Sequence, residues 1–161
     1  MIPDPLAILA VVVLLLPQAY FLFASPSFLF VSLTIPGVTV LLRVLFGFYL
    51  RLLQMAAGAS ALAFALSGRF AVALVPVAVG GGAILARSAL LSAFDTGIAR
   101  REAGDAAGVE RLRQLHWLAM TGNLALLAGL LLAFPRIVTP SRGEGRRPAA
   151  PIASLGDADV L

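Results

Sequence analysis

Any chemistry in this chain has to come from a small set of polar side chains set in otherwise apolar sequence. Arg51 and Arg87 fall within, or at the edge of, stretches apolar enough to cross a bilayer. An ionisable group at that depth is costly and usually faces a protein interior or a water-filled cavity, which makes each a candidate functional position. Gln54 lies one helical turn from Arg51. Ser88 and Asp95 fall within about 100° of Arg87 on a helix of 3.6 residues per turn. His116 and Asn123 are seven residues apart, two turns along one face. Arg51, Gln54, Arg87, Asp95 and His116 are expected in the half of the membrane next to the charged stretch Asp95–Arg113. Three potential cations facing one acid form a positive pocket, suited to a lipid phosphate, a propionate or a carboxylate. Gln18 and Asn123, each near the middle of its helix, are expected to hydrogen-bond across the bundle. An anchoring role is the alternative: Arg51 can snorkel to the headgroups, and His116 beside Trp117 can sit in an interfacial aromatic belt.

Catalytic templates fit poorly. Gly80-Gly81-Gly82 lies in an apolar run without the Lys or Ser/Thr of a phosphate loop. No pair of intramembrane carboxylates is present for acid–base work. A Ser88–His116–Asp95 set can be written, but no spacing demands it. The absence of cysteine excludes disulfides, thiolate metal sites and cysteine nucleophiles. A single histidine excludes a site needing two histidine ligands from one chain. No metal site is expected, and no cofactor. Haem is the alternative, with His116 as axial ligand and Arg51 and Arg87 on the propionates.

The elements that must position these residues are visible in the composition. Of 161 residues, 60% are hydrophobic and 12% charged, and the mean hydropathy is +0.99. A soluble domain of this size could not hide that much apolar surface, whereas a bilayer can. All twelve cations are arginine, and the net charge is +4. On a membrane protein this charge suits loops beside anionic headgroups, and no aromatic-plus-basic stretch points to nucleic acid. The fold expected is all-α, an integral membrane four-helix bundle. Its spans fall at roughly 6–30, 47–66, 70–94 and 114–134, with a short interfacial helix, Val38–Phe46, between helices one and two. Asp105 is a plausible N-cap ahead of helix four. These elements make one domain, 1–135, followed by a tail, 136–161, rich in Pro, Gly and Arg and expected to be disordered.

Small residues recur at packing intervals: Ala57, Ala61 and Ala65 beside Gly58 on helix two, Gly80 and Ala83 on helix three, and Gly122, Ala125 and Gly129 on helix four. Such stripes let helix backbones approach closely. An even number of spans puts both termini on one side. That side carries Arg69, Arg136, Arg142, Arg146 and Arg147, against Arg43, Arg51, Arg100, Arg101, Arg111 and Arg113 on the other. The positive-inside rule then places the termini outside, and the expected location is a bacterial inner membrane.

The stretch Gln18-Ala19-Tyr20-Phe21-Leu22-Phe23, with Ser25-Pro26, Leu29-Phe30, Ser32-Leu33, Leu45-Phe46 and Phe48-Tyr49, resembles the transmembrane protein 205-like family. Leu115-His116 followed by Asn123-Leu124 is similar to that family's helix-four signature, Leu-His-x-x-Ser-x-x-x-Asn, with Ala119 in place of the Ser. Where family members carry Asn and Pro near the end of helix three, this chain reads Ala86-Arg87-Ser88-Ala89-Leu90. The resemblance implies a four-helix membrane domain with no agreed biochemical activity.

The function expected from these readings is that of a membrane subunit, scaffold or lipid-binding module without catalysis of its own. Its partners would be membrane lipids, other membrane subunits or further copies of itself. A haem-handling redox protein and a small transporter are the alternatives. Only Met1, Met55, Met120 and one histidine could serve as soft ligands, which argues against copper or zinc transport.

Overall fold

Asp4 starts the first helix. Its carboxylate accepts the Leu6 backbone N–H at 3.0 Å, and Pro5 takes the first helical position, where a missing N–H costs nothing. The computed structural model describes residues 4–139. Within them, α1 spans Pro5–Ala24 and is followed by a short 3-10 turn, Pro26–Leu29. Ser25 keeps helical backbone, but Pro26 has no N–H to continue the hydrogen-bond ladder, so α1 stops at Ala24 and not near Phe30. Pro17 lies inside α1 without ending it.

Pro36 opens α2, Pro36–Leu66, from its first turn. The separate interfacial helix expected over Val38–Phe46 is instead the beginning of α2. Nothing after Pro36-Gly37 breaks the helix, and Gly47 lies within it. Helix α3 spans Phe70–Glu102 and α4 spans Ala106–Val138. The charged stretch Asp95–Arg113, expected to link two spans, is therefore helical except at Ala103-Gly104-Asp105. Gly104, at φ 81°, makes the turn, a conformation that glycine adopts without steric cost. Asp105 caps α4, accepting the Ala107 N–H at 2.9 Å. Of the tail expected to be disordered, Arg136–Val138 completes α4 and 140–161 lie outside the described residues.

All four long helices are long and apolar enough to cross a membrane. A helix of 33 residues is about 50 Å long, against a hydrocarbon core of roughly 30 Å. The surplus collects at one end of the bundle, where α2 begins, α3 ends and α4 begins, and it carries Arg43, Asp95, Arg100, Arg101 and Arg111. Arg43 and Asp95 form a two-pronged ion pair there, and Arg101 reaches the Thr39 hydroxyl.

Successive helices run antiparallel, with α1 and α3 each packed on both α2 and α4. Phe21, Phe46, Tyr49, Leu53, Phe94, Leu112 and Leu115 form the main core. Phe46 meets Phe94 at 4.9 Å between ring centroids, and Phe21 stacks on Tyr49 at 4.3 Å. In lipid, such interdigitation rather than apolar burial holds helices together. Phe23, Met55, Leu85 and Leu132 are each more than two-thirds exposed on the outside, an apolar surface that lipid tails solvate.

The opposite end is tied by Arg69, between α2 and α3. Its guanidinium donates to the Ile137 and Thr139 carbonyls at the end of α4 and lies 3.8 Å from the Asp4 carboxylate. A cation there satisfies carbonyls that the helix end leaves free and opposes its dipole. One side chain thus joins both ends of the described chain to the α2–α3 turn.

Candidate functional site

Two glycines set the geometry of α3 and α4. A Cβ on Gly108 would lie 2.5 Å from the Arg101 backbone nitrogen, and one on Gly97 2.9 Å from Leu112. The helices therefore touch backbone to backbone beside their turn. Farther along, nothing lies within 4 Å of where a Cβ on Gly122 or Gly129 would sit. Between the pinch and the far end the two helices leave a groove of about 870 Å³. Its α3 wall is mostly of small residues, Ala78, Gly82, Ala83, Ala86, Ala89 and Ala93, with Val79 and Leu90. Its α4 wall is Leu115, Leu118, Ala119, Gly122 and Leu126, and α2 supplies the floor with Phe46, Tyr49, Leu50 and Leu53.

The groove contains polar groups at two levels. Arg111, exposed, stands at the end near the Ala103–Asp105 turn. About 18 Å farther along α4, Asn123 reaches the floor. The Tyr49 hydroxyl donates to Asn123 Oδ1 at 2.8 Å, and Asn123 Nδ2 donates to the Gln18 backbone carbonyl at 3.1 Å. The cross-bundle contact expected between Gln18 and Asn123 therefore runs through the Gln18 backbone. The Gln18 side chain turns back along α1, donating to the Leu14 carbonyl at 3.1 Å, and leaves its buried Oε1 without a partner.

The other residues singled out from the sequence are distributed along two seams. His116 is buried on the α1 side of α4, 2.7 Å from the Ser25 hydroxyl and edge-on to Phe28 and Phe46. Arg51, Gln54, Arg87 and Asp95 lie along the α2–α3 seam. Contacts of Gly80 with Ala57, Leu91 with Gly47 and Asp95 with Arg43 fix the antiparallel register there. That register sets Arg87 level with Arg51. Arg51 is exposed, Gln54 and Arg87 are half-buried, and Asp95 is engaged by Arg43.

Ser88, His116 and Asp95 do not form a catalytic set: each has a different partner, the Leu85 carbonyl, Ser25 and Arg43 respectively. No cluster of three or more metal-ligating residues exists among the described residues. The small-residue stripes serve two ends. A Cβ on Gly80 would lie 3.2 Å from that of Ala57, in tight α2–α3 packing, whereas Gly122 lines the open groove. Arg43, Tyr49 and Arg111 were not among the candidate site residues of the sequence, though Tyr49 belongs to the stretch that carries the family resemblance. Their parts depend on residues on other helices, and only the small-residue repeat Gly82, Ala86, Ala89 and Ala93 hinted at a face without large side chains. No family model, curated protein or solved structure matches the chain.

Proposed function

We propose that this is an integral membrane protein without catalysis of its own that holds a membrane lipid in the groove between α3 and α4. The groove carries the reading. Its volume of about 870 Å³ lies in the range of sites for small amphiphiles, and its walls are apolar apart from Arg111 and the Tyr49–Asn123 pair. From Arg111 to Leu126 it extends about 22 Å along α4, longer than the ~15 Å half-thickness of the hydrocarbon core. An acyl chain can lie along its inner end, by Gly122 and Leu126, with the headgroup in the part that runs out toward Arg111. The resemblance to the transmembrane protein 205-like family belongs to the same reading: both polar residues of the helix-four motif are buried, His116 bonded to Ser25 just after α1 and Asn123 to Gln18 within it.

The proposed location is a bacterial inner membrane, with the Ala103–Asp105 turn on the cytoplasmic side and both termini outside. The haem alternative gains nothing from the geometry, because His116 Nε2 is already engaged by Ser25 and the ring is enclosed by aromatic side chains. No specific observation favours a transporter.

Native mass spectrometry of protein extracted in mild detergent tests the reading. Wild-type protein is expected to retain about one lipid more per chain than protein whose groove is filled. Gly82→Leu and Ala86→Leu, which fill the groove from its α3 wall, should release it with little loss of thermal stability. Equal lipid content in the wild type and both variants would remove the groove as a lipid site.

A further inference from the structure

A second feature lies on a different face of α3 from the groove. Arg87 is half-buried, and its Nε is buried with no hydrogen-bond partner among the described residues. Arg51 stands level with it across the seam and is exposed. Among the described residues neither has an acidic partner, since the ion pairs there are Arg43–Asp95, Arg69–Asp4 and Arg101–Glu102. A buried donor left unmatched is costly, and two guanidinium groups cannot satisfy each other.

We propose that Arg51 and Arg87 form a site for the phosphate of an anionic glycerophospholipid at the α2–α3 seam. Depth supports the choice of ligand. Both residues lie about 25 Å along their helices from the Ser67–Arg69 turn, near the far boundary of a hydrocarbon core of ~30 Å, where lipid phosphates are found. Planar guanidinium forks match phosphate oxygens in pairs. A phosphodiester supplies acceptors for the exposed Arg51 guanidinium and for the accessible part of half-buried Arg87, and a net negative headgroup balances both charges. The proposal rests on the membrane location but not on occupation of the α3–α4 groove.

The test uses full-length protein in nanodiscs of equimolar phosphatidylglycerol and phosphatidylcholine. After transfer to mild detergent, native mass spectrometry counts the retained lipids of each class. Wild-type protein is expected to retain phosphatidylglycerol preferentially. Made in Ala86→Leu protein, whose groove is filled, Arg51→Gln and Arg87→Gln should each lower that preference about fivefold, in line with the contribution of one basic residue at an anionic surface, and the double arginine variant in that background should show none. Ala86→Leu should reduce total retained lipid yet leave the preference intact, which separates this site from the groove. An unchanged preference in the double variant overturns the proposal, as does a preference lost only in Arg111→Gln. Should Arg87→Gln fail to fold, Arg51→Gln decides alone, its side chain being exposed: an unchanged preference there overturns the proposal. Displacement of phosphatidylglycerol by millimolar inorganic phosphate would also overturn it, by making a free anion the ligand.

Discussion

Tyr49 on α2 and Asn123 on α4 meet across the bundle, hydroxyl to amide oxygen at 2.8 Å, at the floor of the groove. The same amide donates to the Gln18 backbone carbonyl on α1. One side chain therefore ties three helices together, and α2 and α4 are not successive in the chain. Both hydrogen-bonding groups of the amide are used, so the floor offers an incoming lipid tail no unmatched polar atom from this residue. What the groove presents around this pair is mainly apolar wall, which suits a chain better than a headgroup.

Removing the Tyr49 hydroxyl leaves Asn123 Oδ1 unmatched in a buried site. Tyr49→Phe should cost about 1 kcal/mol, between the value usual for a buried hydrogen bond and the smaller averages measured inside membranes. In a double-mutant cycle with Asn123→Leu, unfolding in mixed micelles should give a coupling of about 0.5–1.5 kcal/mol. Strict additivity of the two changes would show that the hydroxyl and amide do not act together.

Gln18 is expected to behave in the opposite way. It is fully buried, but its side chain bonds only back along its own helix and its Oε1 has no partner. Replacing a polar group that lacks a partner by an apolar one of similar shape removes a desolvation penalty. Gln18→Met should be neutral or stabilising by up to about 1 kcal/mol in the same unfolding assay. A loss of 2 kcal/mol or more, on the scale of a well-satisfied buried group, would mean that Oε1 is bonded in the membrane.

The close approach of α3 and α4 can be tested by adding one methyl. At Gly108 a Cβ would press on the backbone of Arg100 and Arg101, which cannot yield without parting the helices. Gly108→Ala should cost about 1–3 kcal/mol, as overpacking commonly does. Gly81→Ala, where nothing lies within 4 Å, should be neutral or gain a few tenths of a kcal/mol from better helix propensity. Equal effects at the two positions would contradict the backbone contact.

The helices were legible in the sequence because apolar runs of membrane-spanning length need no partner to be recognised. The Asp105 cap was legible for a similar reason, since it acts on its own next turn. Helix extent was not. Arg43, in an apolar stretch after Pro36-Gly37, suggested a separate interfacial helix, and the charges of Asp95–Arg113 suggested a loop. Charged residues on a helix that outruns the bilayer have the same local composition as a loop, and only Gly104 marks the turn. The partners of the candidate residues were hidden for another reason. Asp95 is engaged by Arg43, 52 residues away, and His116 by Ser25, 91 residues away. No local spacing encodes such pairs, which follow from helix register across the bundle.

Because the chain has no cysteine, orientation can be read with single introduced thiols. Ser67 and Ala103 flank turns at opposite ends of the bundle, Ser67 beside Gly68 and Ala103 beside Gly104. Neither carries the positive φ of its glycine neighbour, so Ser67→Cys and Ala103→Cys should leave the turns intact. The arginines at the Ala103 end, including Arg100, Arg101, Arg111 and Arg113, favour the cytoplasmic side through the positive-inside rule. A membrane-impermeant maleimide applied to spheroplasts should then label Ser67→Cys and spare Ala103→Cys until the membrane is opened. The reverse pattern would place both described ends, joined through Arg69, in the cytoplasm. It would also move Arg51 and Arg87 to the outer leaflet, and a lipid bound there would have to be drawn from that leaflet.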